Sequence, residues 1–496
     1  MKVHITLFIG LFFAVFTFAQ DNVFLQREYW KGNPSVADVE KAIAEGNDIT
    51  ELNRNLFDGV CYAFLEQVDN KTIKHLLTKK GNEVDKITHD GRTYMFWAAY
   101  KGNLKMMQYL SDKGAKSDIE DAHGYTVLNF AANAGQSDPE LYDFLVSHDA
   151  NIKATTHSGA NALLLVSSAA QNVDIIEYFM DKGLAFDSVD DNDNGIFQYA
   201  SKGGNLKLLK TLVNKGADVK RINNNGENAT FMAAQGTRGK QHGKAVFEYL
   251  EGLGLAMDLV NKDGKNLLHL VSSRNNNEEV FQYLMDKGLD VNLQDVKGST
   301  PLINASRGNS LEVVQLLAGS AKDINVQDAQ GRSALALAVS RNKPEVVAYL
   351  LDNGAAVAIA DKKGNTLAYY LMESYNAKQP DDFEAKLQLL QDAGLAMTVP
   401  QHDGNTLLHL AAEENNLPLL KRLAPFGIAI NQKNDEGNTA LHLAAMSTKN
   451  AEILKYLIGQ GADVALKTDF EETVYDLAKE NELLQQQVSR LDFLKL

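Results

Sequence analysis

One cysteine, Cys61, occurs in 496 residues, so no intramolecular disulfide can form and the fold has to hold by packing. Cys61 lies in the apolar run VCYAFL with no histidine at a recognisable spacing, which reads as a buried thiol and not as a nucleophile. Proline is scarce too, at 8 residues, and 45% of the chain is apolar; this composition is not that of a disordered or low-complexity polymer. Basic residues fall short of acidic ones, 49 against 64. A formal charge of −15 repels phosphate backbones and anionic lipid and argues against a nucleic-acid partner.

Long apolar runs are also missing, apart from Ile5 to Phe18 at the start. That run is shorter than the ~20 residues a membrane span requires, follows Lys2 and ends with small or short residues at Thr17 and Ala19 before Gln20. Residues 1–19 therefore read as a secretory signal cleaved after Ala19. No cysteine follows for lipid attachment, and no stable membrane insertion is expected after cleavage. The expected destination is the periplasm or the medium.

What the chain does contain is a period. Glycines followed two residues later by Thr, Asn or Ser recur at Gly91, Gly124, Gly159, Gly226, Gly264, Gly298, Gly331, Gly364, Gly404 and Gly437, mostly at intervals of 33 to 35. Asp193 fills the gap between Gly159 and Gly226, because aspartate tolerates a left-handed backbone better than most residues. Degenerate units placed at Asp58 and Glu471 bring the count to thirteen, preceded by a helical piece around Val36 to Glu45. Residues 161–184 also match 266–289 without gaps, three units apart, as block duplication would leave them.

Each unit reads as turn, short helix, tight loop, second helix, loop. In the Gly437 unit Thr439 caps the first helix, Ala444 and Ala445 allow close approach of a neighbour, and Ile453, Leu454, Leu457 and Ile458 line one face of the second helix. Gly102, Gly135 and Gly204 between the helices are matched elsewhere by Asn275, Asn309, Asn342 and Asn415, a pairing expected of a position with positive φ.

Gly437–Ala445 with Gly461-Ala462-Asp463, Gly216-Ala217-Asp218 and Thr300-Pro301-Leu302 resemble the phrases of ankyrin repeats. The likeness covers about 35–482 and implies an all-α solenoid of stacked helix-turn-helix units with short β-turn or hairpin loops. The domain reading is a signal at 1–19, a linker at 20–34, the array at 35–482 and a capping helix at 483–496. Thirteen layers at ~8–10 Å would extend about 110–130 Å.

The histidine five places after the repeat glycine, as in His442, invites a catalytic or metal reading. Down the array that position holds Ala63, Phe96, Asn129, Leu164, Gln198, Phe231, His269, Ile303, Ala336, Tyr369, His409, His442 and Asp476. Leucine, isoleucine and phenylalanine neither relay protons nor bind metal, so the position is structural; the resemblance implies that its histidines brace the turn. Asp190–Gly195 starts like a calcium loop, but Ser201 stands where a closing glutamate belongs, and an ordinary turn is the reading adopted. No cofactor is expected.

The resemblance places partner contacts on turn tips and on the exposed ends of first helices along a concave side. Those places hold His89, Asp90, Arg92, Tyr100, Lys101, His123, Tyr125, Asn133, Lys265, Arg274, Arg307, Arg332, Arg341, Glu413 and Glu414. A non-catalytic, monomeric scaffold or adaptor of the cell envelope, gripping a protein partner, is the expected function. Two insertions, the basic 236–244 and the acidic 373–386, are expected as exposed loops. They supply the alternative of a ligand-dependent protein or enzyme accessory, and a secreted effector is a further alternative.

Overall fold

The computed structural model describes residues 22–486 and 491–495, so the expected signal lies outside the described residues. Thirteen helix pairs follow one another, from Gly59–Leu65 with Asn70–Leu76 to Val474–Glu480 with Glu482–Gln485. They divide into two compact units with the boundary after Asp218, five pairs in the first and eight in the second.

Helices this short are unstable alone, so caps and neighbours must carry them. In most units the residue two after the repeat glycine does the capping: Thr126 Oγ1 accepts from the Asn129 N–H at 3.1 Å, and Thr300 Oγ1 from that of Ile303 at 3.2 Å. Three residues before the glycine, an Asp or Asn holds the turn in most units; Asp121 Oδ1 accepts from the amides of His123 and Tyr125, both at 2.9 Å. Successive tips are joined through backbone, as in Ala122 N–H to Asp90 C=O at 2.8 Å and Val296 N–H to Asp263 C=O at 2.8 Å. The alanine pairs 98–99, 131–132, 411–412 and 444–445 are all buried, as are Ile453, Leu454 and Leu457.

Asp193 and Glu471 take the left-handed conformation at the repeat-glycine position, with φ of 63° and 65°. The first unit departs from the expected register by two residues. Leu56 holds the left-handed position at φ 60°, Asp58 is the helix cap, and Cys61, not Ala63, is the fifth residue. A leucine there is disfavoured by its Cβ, which is why the sequence concealed it.

The inter-helix asparagines also differ from expectation. Only Asn415 adopts positive φ, at 55°. Asn342 instead donates to the carbonyls of Ser306 at 3.0 Å and Asn309 at 3.1 Å, and Asn309 to those of Ser272 and Asn275, so these side chains stitch each unit to the one before.

Residues 22–34, expected as linker, are folded. Val23–Leu25 and Arg27–Lys31 are helical, and Phe24 and Trp30 are fully buried against Gly59, where a Cβ would lie 2.9 Å from the Trp30 ring. The first layer needs an apolar cover as the internal layers do. At the other end, the described part of 483–496 is the remainder of Glu482–Gln485 and a 3-10 turn at Asp492–Leu494, with Leu484, Leu491 and Leu494 buried.

Only the first half of the second insertion is a loop: from Asp381 it enters the twelve-residue helix Asp381–Asp392, with Phe383 and Lys386 buried, and Lys386 Nζ donates to the Val339 carbonyl at 3.0 Å. The first is a tight turn in which Thr237 and Lys240 pair, while His242 is buried and its carbonyl accepts from Asn275 at 2.9 Å. Among the described residues no helix is long and apolar enough to cross a membrane.

Candidate interaction surface

The repeat histidines are braces. His409 Nδ1 meets the Thr406 hydroxyl at 2.7 Å and its Nε2 the Asn438 carbonyl at 2.9 Å; His442 does the same with Thr439 and with the Leu466 carbonyl at 3.0 Å. His269 Nε2 reaches the Ser299 carbonyl at 3.1 Å. Burial holds all three imidazoles below the usual histidine range, which favours the neutral ring such a brace needs. Asp476 closes the same box from Thr473, and Gln198 from Gly195, so other polar side chains substitute chemically for the histidine.

Asp190 spends its carboxylate on its own turn: Oδ1 accepts from the amides of Asn192 and Asn194, and Oδ2 from the Tyr199 hydroxyl at 2.9 Å. Among the described residues no group of three His, Cys, Asp or Glu side chains is arranged to hold a metal.

In the first compact unit the tips bring His89 and His123 to one carboxylate, with Nε2 atoms 3.3 Å and 3.4 Å from Asp90 Oδ2. Tyr100 and Tyr125 flank Phe130 at ring separations of 5.3 Å and 6.1 Å; Lys101 is half-exposed and Asn133 exposed. Burial, then Asp121, raises the Tyr125 hydroxyl above its ordinary value. Arg92 is not available to a partner. It is 8% exposed, pairs with Asp121 and lies 4.2 Å over the Phe130 ring.

In the second compact unit Lys265 Nζ stands 3.9 Å from Asp263, and Arg332 is engaged by Asp328 at 2.7 Å and by Gln330 at 3.0 Å. Arg274, Arg307 and Arg341 are exposed at the ends of three successive first helices and form no ion pair among the described residues. Glu413 and Glu414 are exposed at the end of Leu407–Glu413. Sequence reasoning missed Glu373, which ends Leu367–Glu373 and accepts from the Ser340 hydroxyl at 2.7 Å. Its place nine residues after Gly364 matches that of Glu413 after Gly404, and this register was the available signal. Partial desolvation of its carboxyl, with Glu413 and Glu373 nearby, holds Glu414 above the usual carboxylate range although the residue as a whole is exposed.

A cavity of about 130 Å³ lies away from both insertions, lined by Leu408, Leu420, Leu423, Ala424, Ile428, Ile430, Tyr456, Leu457 and Gln460. It forms where Pro425 ends the second helix after seven residues and where Ala424 occupies the register position that Ile458 holds in the next unit.

Stacked helix pairs with braced tips define an all-α repeat array. Residues 61–156, 134–224, 231–328 and 371–468 match the family model for ankyrin repeats in three copies, and 308–351 that for many copies; the chain belongs to the ankyrin-repeat family. It is 26% identical over 287 residues to an ankyrin repeat protein of Rickettsia felis, covering 51% of this chain and 72% of that protein. It is also similar to Delta-latroinsectotoxin-Lt1a of Latrodectus tredecimguttatus, 29% identical over 138 residues, 27% of this chain and 11% of the toxin. A palmitoyltransferase of Lachancea kluyveri is 29% identical over 146 residues, 28% of this chain and 19% of the enzyme. The chain thus spans only a minor part of the toxin and of the enzyme. Ankyrin repeats generally mediate protein–protein interaction and are typically non-catalytic.

Proposed function

We propose that this protein is a non-catalytic scaffold that holds a protein partner on the tips and first-helix ends of its array, working in a cell envelope after export as a monomer. The observation that carries the reading is the thirteen-fold repetition itself, since the repeats, turns included, account for nearly all described residues. The contacts it nominates are His89, Tyr100, Lys101, His123 and Asn133 in the first compact unit and Arg274, Arg307, Arg341, Glu413 and Glu414 in the second. An arginine and tyrosine content of this kind suits anchoring residues.

The apolar segment at 1–19 supports export, and the domain organisation becomes a folded cap at 22–34, an array from 35 to 482 and a C-terminal cover. The test is crosslinking in the native envelope fraction, followed by mass spectrometry. One stoichiometric protein, lost when Tyr100, Lys101 and Asn133 or the three exposed arginines are replaced by alanine in a chain that still folds, is the expected result. Recovery of the chain alone, or capture indifferent to both sets of substitutions, overturns it.

A further inference from the structure

The exposed ends of five successive first helices in the second compact unit carry segregated charge. Arg274, Arg307 and Arg341 occupy the ends of Leu267–Val271, Pro301–Ser306 and Ala334–Arg341; Glu373 and the pair Glu413 and Glu414 occupy those of Leu367–Glu373 and Leu407–Glu413. All lie nine or ten residues beyond their repeat glycine, so stacking aligns them in a row of three cations followed by three anions.

Neither half is neutralised by an opposite charge among the described residues. The three guanidiniums form no hydrogen bond or ion pair among the described residues, whereas Arg92, Arg332 and Arg422 each hold a carboxylate. On the acidic side Glu373 receives the neutral hydroxyls of Ser340 and Tyr369 and pairs with no cation among the described residues. The neighbouring carboxylates repel one another, and Glu414 titrates high partly for that reason. In a chain of net charge −15, three unpaired arginines in line with their backs to a run of glutamates are a local reversal of sign.

Resting on the scaffold reading above, we propose that this row binds an extended protein segment with its acidic residues in one half and its basic residues in the other. Five helix ends at ~8–10 Å spacing cover about 35 Å, which an extended chain of about eleven residues spans. The acidic half lies along Arg274, Arg307 and Arg341, where the planar fork of arginine takes carboxylates bidentately. The basic half lies along Glu373, Glu413 and Glu414. Attraction between separated blocks sets register and partner choice more than raw affinity, and weakens with salt.

The probe is a synthetic peptide of glutamates followed by a short glycine-serine spacer and lysines, compared with one of equal composition in which the charges alternate. Titrated into the full-length protein by calorimetry, the block peptide is expected to bind at least about tenfold more tightly than the alternating one, and to lose about tenfold in affinity between low and moderate salt. The R274A/R307A/R341A variant should lose about tenfold for the block peptide with an unchanged melting temperature, because these arginines are exposed and unpaired, and E413A/E414A should lose about tenfold with a melting temperature no lower than the parent's, because it removes only mutual repulsion. Equal binding of the two peptides, or binding indifferent to the arginines, overturns the proposal. A salt-sensitive dimer abolished by R274A/R307A/R341A would assign the row to a second copy of this chain and overturn it too. Should the native partner still be captured and lost with the arginine variant while the block peptide fails, the scaffold reading stands and this inference alone falls.

Discussion

Arg92 places Nε and Nη2 each 2.7 Å from a single carboxylate oxygen of Asp121, one unit further along the array. Both side chains are buried, and Asp121 also holds the amides of its own turn through the other oxygen. The pair ties two units together where the sequence suggested a partner contact. Removing one member strands a buried charge, which typically costs about 3–5 kcal/mol. Arg92→Ala should therefore lower the chemical-denaturation midpoint of the first compact unit sharply; a midpoint within error of the parent would contradict the structural role.

The braces predict a pH dependence. His269, His409 and His442 titrate below the ordinary value of 6.5 because burial penalises the imidazolium. As pH falls the unfolded chain takes up these protons first, so their stabilising contribution is complete above about 6.5 and is lost as pH drops towards the lowered folded values. Thermal melts between about pH 7.5 and pH 5 should show the parent losing stability faster than an H269L/H409L/H442L variant, leucine being what position 164 already carries. Parallel slopes would mean that these rings are not the titrating groups.

Gly203 closes the helix Ile196–Gly203, where a Cβ would sit 2.1 Å from the Ser168 carbonyl oxygen. Backbone cannot swing aside as a side chain can, so Gly203→Ala should cost about 1–3 kcal/mol or more. Gly252, last residue of Lys244–Gly252, faces open space without positive φ, and Gly252→Ala should stabilise by about 0.5–1 kcal/mol. Urea titrations of the two variants are expected to shift in opposite directions.

The cavity beside Ala424 offers room for a larger side chain, and the next unit carries Ile458 at the matching register position. Ala424→Ile should raise the melting temperature, with a gain of about 0.5–2 kcal/mol as for other cavity-filling changes. A fall would show that Pro425 fixes the helix end too rigidly for the added methyls to turn inward.

The repeat was legible in the order of amino acids alone. A recurring glycine with its capping residue, alanine pairs and apolar stripes are local signals, each specified by a few neighbouring residues, and they gave the helix pairs, the left-handed Asp193 and the structural nature of the histidine position. Tertiary structure alone decided where polar side chains spend their hydrogen bonds. Arg92 belongs to Asp121, twenty-nine residues away; Asn342 belongs to the carbonyl of Ser306; and Lys386 reaches Val339 from a helix that composition suggested was a loop. Leu56 sits in a left-handed turn that its side chain disfavours, and Trp30 covers the first layer from a stretch that reads as linker. In a stacked array the partner of a residue lies about one repeat away, and which of several exposed-looking polar groups turns inward depends on that neighbour's shape and charge. The same stacking aligned the arginines with the glutamates: a single unit displays one charge, and only five units in register make a row.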